Sequence, residues 1–512
     1  MVWQLRYVLP YLLAATGFVV PSVSSRSSDG PLQAAFRGQP ESPTPGWEWN
    51  LPPNPNSTYH LIFNSVSGLL QRWPNALRRN GHSLVPATIP KGTILYHGRA
   101  DPQMPISPDW VAFDFEHSYL FCLESCYVIS LQAKRDLRLV YFDGLSAGKR
   151  KDGTLDSQDV ILWGRPRPDK YYSEAERIEA LCDWGRPLGL DGFVRMEFGF
   201  EAMICDFLDA AEVVTFLDVI PQNQSSIPER LPGQPSPLPQ PGPPNLPSGW
   251  RGSPPDMRRS VFEAYISGTW HNRAPGETRV RPDYSGLVTF YDPSLSSLVE
   301  ARYSKDRSHL RLDGISALDS ERVRAELQTV LTRKQGAGSG IDWGSIARVV
   351  TERYAGRLEY LRFLLSSNTS SADPLERAAV AREQLFVMLA PYITSTDVPR
   401  QLPASTDLTW AAPVARRCAT TQTSLIPLGA LTPQEARIHA AVENTLREIC
   451  RRLVLEWVEF FDVEAADEAG ATEAIQVARG HISELMAWLD WSVWVRSFEG
   501  FARRPGVSHA GN

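Results

Sequence analysis

His97-Gly98-Arg99 is the densest run of site-like residues in the chain: a hydrogen-bonding imidazole, a residue that lets backbone and ligand come close, and a permanently charged guanidinium. Other chemistry is scattered. Glu201 and Glu197 are carboxylates on a later hairpin, and Glu201 either acts on a substrate or pairs with Arg195 or Arg99. His117 follows Glu116 and reads either as a base or as a solvated helix residue. Ser118 has no GxSxG setting, and no HExxH occurs, so elbow-type hydrolysis and zinc proteolysis are excluded and no metal is expected. Asp114 and Glu116 are two residues apart, too close in sequence to read as a glycosidase pair. The basic, glycine-bounded loop Gly148–Gly153 either holds a phosphate or is a solvated loop, the latter fitting better because no strand-to-helix context surrounds it.

The local pattern says how these residues are positioned. Thr93 to Tyr96 form a β-branched and aromatic run that delivers His97 to a strand end. A loop with Pro102, Pro105 and Pro108 leads to a second strand, Trp110 to Asp114. Asp114 then N-caps a helix over Phe115 to Tyr127, with Ser118, Cys122 and Cys126 on one face. Leu137 to Phe142 is a strand, Tyr171 to Trp184 a helix, and Phe193 to Met196 a strand that turns into Gly199 to Phe207, the strand carrying Glu201.

The order YHG, proline-rich loop, apolar WxAF, helix with a tyrosine, and a late strand with a glutamate near its start resembles ADP-ribosyltransferase-like domains of the His/aromatic/Glu group, over Lys91 to Phe207. The resemblance implies an α+β first domain with a split antiparallel sheet and helices, and NAD as the cofactor. Glu201 would stabilise an oxocarbenium-like ribosyl cation, with charge that appears only in the transition state. His97 would hydrogen-bond the ribose, beside Gly98, and Arg99 would reach the diphosphate. An aromatic would stack on nicotinamide; where the family has a tyrosine this chain has Trp110 and Phe113, with Tyr119 later. The acceptor would be a small molecule or a protein. The alternative is a binding or interaction protein on a transferase-like scaffold that lacks the chemistry. The whole chain also resembles a group of secreted two-domain proteins of filamentous fungi, a likeness that carries no function.

Length and composition set the frame. At 512 residues the chain exceeds what one core usually serves, so two domains are expected. With 52 basic and 58 acidic residues and no basic stripe, nucleic acid is not an expected partner. Fifteen tryptophans and 41 prolines suit an extracellular protein or one that binds sugars or flat rings. Arg6, the apolar run Tyr7 to Val20 and the small residues Ser22, Ser24 and Ser25 read as a signal peptide over 1–25, so secretion is expected; an uncleaved signal anchor is the alternative. No later segment is apolar and long enough to span a membrane.

The cysteines agree with export. Cys122, Cys126, Cys182 and Cys205 precede a proline-rich segment, Cys418 and Cys450 follow it, and disulfides within each half are expected. A Cys122–Cys126 bridge inside a helical turn would be strained, which favours pairing each with Cys182 or Cys205. Sequons stand at Asn56, Asn223 and Asn368.

The expected organisation is a signal peptide (1–25), a flexible N-terminus (26–58), the α+β domain (59–220), a proline-rich linker (221–256), a mainly α-helical domain (257–503) and a tail (504–512). In the helical part the clearest signal is Thr432-Pro433-Gln434-Glu435, an N-cap with Pro at N1 and Glu at N3, followed by the stripe Ile438, Val442, Leu446, Cys450, Leu453 and Trp457. Further helices are expected over 320–332, 342–365, 373–391 and 471–494, with a strand near 286–291. Trp488, Trp491 and Trp494 read as core or interface.

Overall fold

A computed structural model describes residues 48–122, 125–222, 248–249, 257–302, 305, 307–334, 336–366, 373–399, 408–461 and 467–495. The expected signal peptide, most of the flexible N-terminus, most of the proline-rich linker, the tail, and the sequons at Asn223 and Asn368 lie outside these residues. Contacts divide the chain into Met1–Glu48 and Trp49–Asn512, and every element below belongs to the second unit.

Helices α1 (Tyr59–Ser67) and α2 (Arg72–Leu77) lead into strands β1 (Ser83–Ile89), β2 (Ile94–Arg99) and β3 (Asp109–Ala112), the short helix α3 (Phe115–Tyr119), then β4 (Cys126–Ala133) and β5 (Leu137–Phe142). Helices α4 (Asp156–Trp163) and α5 (Glu174–Gly185) precede β6 (Gly192–Met196), β7 (Phe200–Ile204), α6 (Phe207–Ala210) and β8 (Ala211–Val219). After the proline-rich segment come α7 (Met257–Ser267), β9 (Arg281–Pro282), β10 (Val288–Thr289), α8 (Ser296–Arg302), α9 (Ala317–Thr332), α10 (Trp343–Leu364), α11 (Pro374–Leu389), α12 (Ala412–Thr420), α13 (Pro433–Glu459) and α14 (Glu468–Leu489). A curled sheet with helices is thus followed by a mainly helical region.

The strands run in the order β10-β1-β5-β6-β7-β3-β2-β4-β8, with β9 also on β1. The expected split antiparallel sheet is corrected to a continuous mixed one: β5 and β6 are parallel, because α4 and α5 carry the chain across between them. Continuity is thin at one point, since β2 and β3 meet through the single pair Tyr96–Ala112.

The chain beyond the proline-rich segment returns to this sheet. Arg281 and Pro282 pair with Thr88 and Ala87, and Val288 and Thr289 with Leu84 and Ser83. Val323, Leu327, Val330 and Leu331 of α9 join Phe142, Phe193, Met203 and Ile178 in one buried cluster. Residues 59–220 and the chain from 281 to 331 therefore bury one another's apolar surface, the dominant favourable term in folding. In the helical region, Thr432 and Glu435 form the expected capping box on α13, with Pro433 in the first turn. Ile438, Val442, Leu446, Cys450, Leu453 and Trp457 are all buried.

Two local expectations are corrected together. The helix predicted over Phe115 to Tyr127 stops at Tyr119, and Cys126 opens β4, because Cys126 to Ala133 pairs with β2 on one side and β8 on the other. Cys122 and Cys126 sit 4.7 Å apart at Cα and are bonded to each other rather than to Cys182 or Cys205. Cys182 at the end of α5 pairs with Cys205 just after β7, and Cys418 of α12 with Cys450 of α13. No helix of the described residues is long and apolar enough to cross a membrane.

Candidate functional site

Strand pairing decides what the predicted residues can reach. Tyr96 of β2 stands opposite Ala112 of β3, Ala112 opposite Glu201 of β7, and Glu201 opposite Arg195 of β6. Directly paired residues share a face, and successive residues alternate, so His97 is turned out of the row that holds Glu201.

His97 is 2% exposed. Its Nδ1 donates to the Trp110 carbonyl oxygen at 2.7 Å, and its Nε2 lies 3.6 Å from Asp109 Oδ2. Burial lowers its pKa, against the pull of Asp109. The ring meets Trp110 edge-on at 5.5 Å and Phe207 at 5.9 Å.

Gly98 and its neighbours are occupied by protein. A Cβ on Gly98 would stand 2.4 Å from the Ser118 carbonyl oxygen, so the close approach that glycine allows is used by α3. Arg99 Nη2 donates to Asp101 at 2.7 Å. The Tyr119 hydroxyl donates to the Ile220 carbonyl at 2.6 Å, tying α3 to the end of β8. Phe113 is fully buried, with the Arg279 guanidinium 5.3 Å above its ring. Asp114, expected to cap α3 with its side chain, does not: its carboxylate instead accepts from Arg279 Nη2 at 2.9 Å and faces His271 Nε2 at 3.4 Å, a charged donor outcompeting helix amides.

Glu201 is 4% exposed and accepts from Arg195 Nη2 at 2.7 Å. Arg195, 1% exposed, also donates to Glu174 in the first turn of α5 and, through Nη1, to Gln158 of α4 at 3.4 Å. Burial opposes the Arg195 charge, but the two carboxylates hold its pKa above the ordinary arginine value. Burial would likewise raise Glu174, yet Arg195 and then Lys149 bring it below its ordinary value. The bridge with Arg195 is the structural reading of Glu201, in a buried rather than a surface setting.

Sequence reasoning undervalued two neighbours. Glu197, at the tip of the β6–β7 hairpin, has its pKa pushed up to about 7, first by burial and further by Glu201, with Lys149 pulling the other way. Lys149 comes from the basic loop, brought to the sheet by the Ala147 amide donating to the Met196 carbonyl at 2.9 Å. His117, expected in solvent if not a base, is buried, its ring 5.9 Å from Trp110 and 6.4 Å from Phe198, and burial lowers its pKa against the charge of Glu201. The spacing Glu197-x-x-x-Glu201 around a tight hairpin was the available signal; the contribution of Lys149 depends on tertiary contact.

The structure therefore brings together His97 with Trp110, and separately Glu201 with Arg195, Glu174, Glu197 and Lys149. No hydrogen bond or ion pair between described residues joins His97 to Glu201.

Residues 54–127 and 124–232 match the family described as the YPL277C N-terminal domain. A Saccharomyces cerevisiae protein described as uncharacterized protein YOR389W is 34% identical over 219 residues, covering 33% of this chain and 34% of that protein. Uncharacterized protein YPL277C of the same yeast is 34% identical over 220 residues, covering 33% of this chain and 44% of the relative. The chain thus spans less than half the length of either relative. No solved structure matches it. Over residues 54–232 this chain is similar to the YPL277C N-terminal domain, and over about a third of its length to two uncharacterized yeast proteins.

Proposed function

We propose that this is a secreted, disulfide-bonded binding or interaction protein, built on a transferase-like scaffold without NAD-cleaving chemistry. One observation carries the reading: Glu201 is held in a buried pair with Arg195, and strand alternation turns His97 out of its row. A carboxylate locked to a guanidinium offers a developing ribosyl cation little free negative charge, and its distance from the imidazole is fixed by the sheet. Occupation of Gly98 by α3 and of Phe113 by Arg279 supports the same conclusion. Export draws support from the three disulfides and from the apolar run Tyr7 to Val20.

The competing reading is NAD-dependent ADP-ribosyl transfer or NAD cleavage to a small-molecule or protein acceptor. It draws on Glu197, an acid poised near neutrality beside Glu201, and on the His97–Trp110 contact. Nicotinamide release from NAD by the purified, oxidised chain separates the two. The expected result is no release above that of buffer. Release that disappears in both Glu201→Gln and His97→Ala, each with an unchanged thermal midpoint, would sink the binding-protein reading.

A further inference from the structure

A cavity of about 690 Å³ opens between the first turn of α1, the end of α8 and the C-terminal end of α14. It lies away from His97 and Glu201, neither of which lines it. Arg78, Arg302, Lys305 and Arg307 line its walls, and among the described lining residues Asp490 is the carboxylate set against them. Asp490 is already shared. Arg78 holds it through Nε at 2.9 Å and through Nη2, and Arg307 Nη1 approaches at 3.3 Å.

Arg302 has no carboxylate partner among the described residues. It is 9% exposed, its Nη2 donates to the Phe290 carbonyl at 2.6 Å, and its Cζ lies 4.8 Å over the Tyr291 ring. Its Nε and Nη1 are buried with no hydrogen-bond partner. Burial pushes the guanidinium down to about 10, with Tyr291 offsetting only part of the loss. Buried cations are ordinarily paired, so this one leaves a place for an anion.

Two features of the cavity agree. The N-cap Thr58 and the first-turn residues His60 and Leu61 of α1 line the wall, and that turn carries no acidic residue, so its amide dipoles add positive potential. Trp488 lines the cavity beside His60, the two rings 4.4 Å apart. Burial, and then Arg307, push His60 down to about 3, so it adds a neutral flat surface rather than charge. A site of this size exceeds what one inorganic anion fills and suits an organic molecule bearing one.

We propose that this cavity binds a phosphorylated small molecule, with its phosphate or pyrophosphate group on Arg302, Arg307 and the first turn of α1, and its organic part along Trp488. This site is independent of whether NAD is cleaved at the sheet. Titration calorimetry of the purified, oxidised chain with inorganic pyrophosphate, ADP and adenosine tests it. Pyrophosphate and ADP are expected to bind, adenosine much more weakly. Losing one charge-assisted contact should weaken pyrophosphate binding about tenfold in Arg302→Gln. The Lys305→Glu substitution, at an exposed position of the cavity wall, should weaken it by a similar factor and decides the matter if Arg302→Gln does not fold. The proposal is overturned if millimolar pyrophosphate does not bind, if adenosine binds as well as ADP, or if Lys305→Glu leaves pyrophosphate affinity unchanged. The readout is binding rather than nicotinamide release, so either result leaves the reading of the sheet site standing or falling on its own assay.

Discussion

Glu197→Gln is the sharpest test of the electrostatics around the β6–β7 hairpin. Burial and the neighbouring Glu201 raise the folded-state pKa of Glu197 from an ordinary 4.5 to about 7. A raised carboxyl means the folded protein binds this proton more tightly than the unfolded chain. Its stabilising effect is therefore complete below about pH 4.5 and is lost as pH rises through 7. This rise corresponds to about 3 kcal/mol of stability withheld by the ionised side chain at alkaline pH. Glutamine keeps the shape and removes the charge. The variant should match the wild type within about 0.3 kcal/mol near pH 4 and exceed it by about 3 kcal/mol above pH 8, as an order of magnitude. Urea unfolding of both proteins from pH 4 to 9 measures this directly, because pH effects of other groups cancel in the difference. A gap that is flat with pH, or a variant less stable at pH 8, would refute the claim that the half-buried Glu197 stands against like charge.

Two further substitutions probe the same region. Arg195→Met should cost about 3–5 kcal/mol by stranding Glu201 and Glu174 in a buried setting, and adding Glu201→Gln should restore a large part of it; equal stability of the single and double variants would show that the Arg195–Glu201 pair matters little. Gly98→Ala forces a Cβ to within 2.4 Å of the Ser118 carbonyl, so it should destabilise by more than about 2 kcal/mol and lower the thermal midpoint, whereas a midpoint unchanged within error would mean that α3 shifts aside freely.

Much of the local structure was legible in the chain. The apolar, β-branched and aromatic runs at 94–99, 137–142, 192–196 and 200–204 are strands, and the 3.6-residue stripes of α9, α10, α11, α13 and α14 are helices, because short apolar runs suit strands buried on both faces and a helix repeats its buried face every turn. The capping box of α13 was readable for the same reason: its partners are three residues apart. Strand β1 was not, since Pro86 interrupts its pattern. Proline is tolerated there because it falls in the gap between β10, which pairs with Ser83 and Leu84, and β9, which pairs with Ala87 and Thr88. Strand β8 was hidden as well, being an edge strand whose Val213, Val214, Phe216 and Leu217 are exposed, with no buried face to set a pattern.

The sequence by itself determined which residues carry chemistry, that His97 lies near the end of a strand and Glu201 near the start of one, and that Arg195 is a natural partner for Glu201. These depend on residue type and on neighbours within one element. Only the tertiary structure decided that His97 and Glu201 stand in different rows, that Gly98 is filled by α3, and that Cys122 bonds Cys126. It also decided that Arg78, Arg302, Arg307 and Asp490, widely separated along the chain, meet at one cavity. The physical reason is register. Alternation along a strand assigns faces only after pairing is known, and pairing between β2, β3 and β7 joins segments far apart in sequence, beyond the reach of any local pattern.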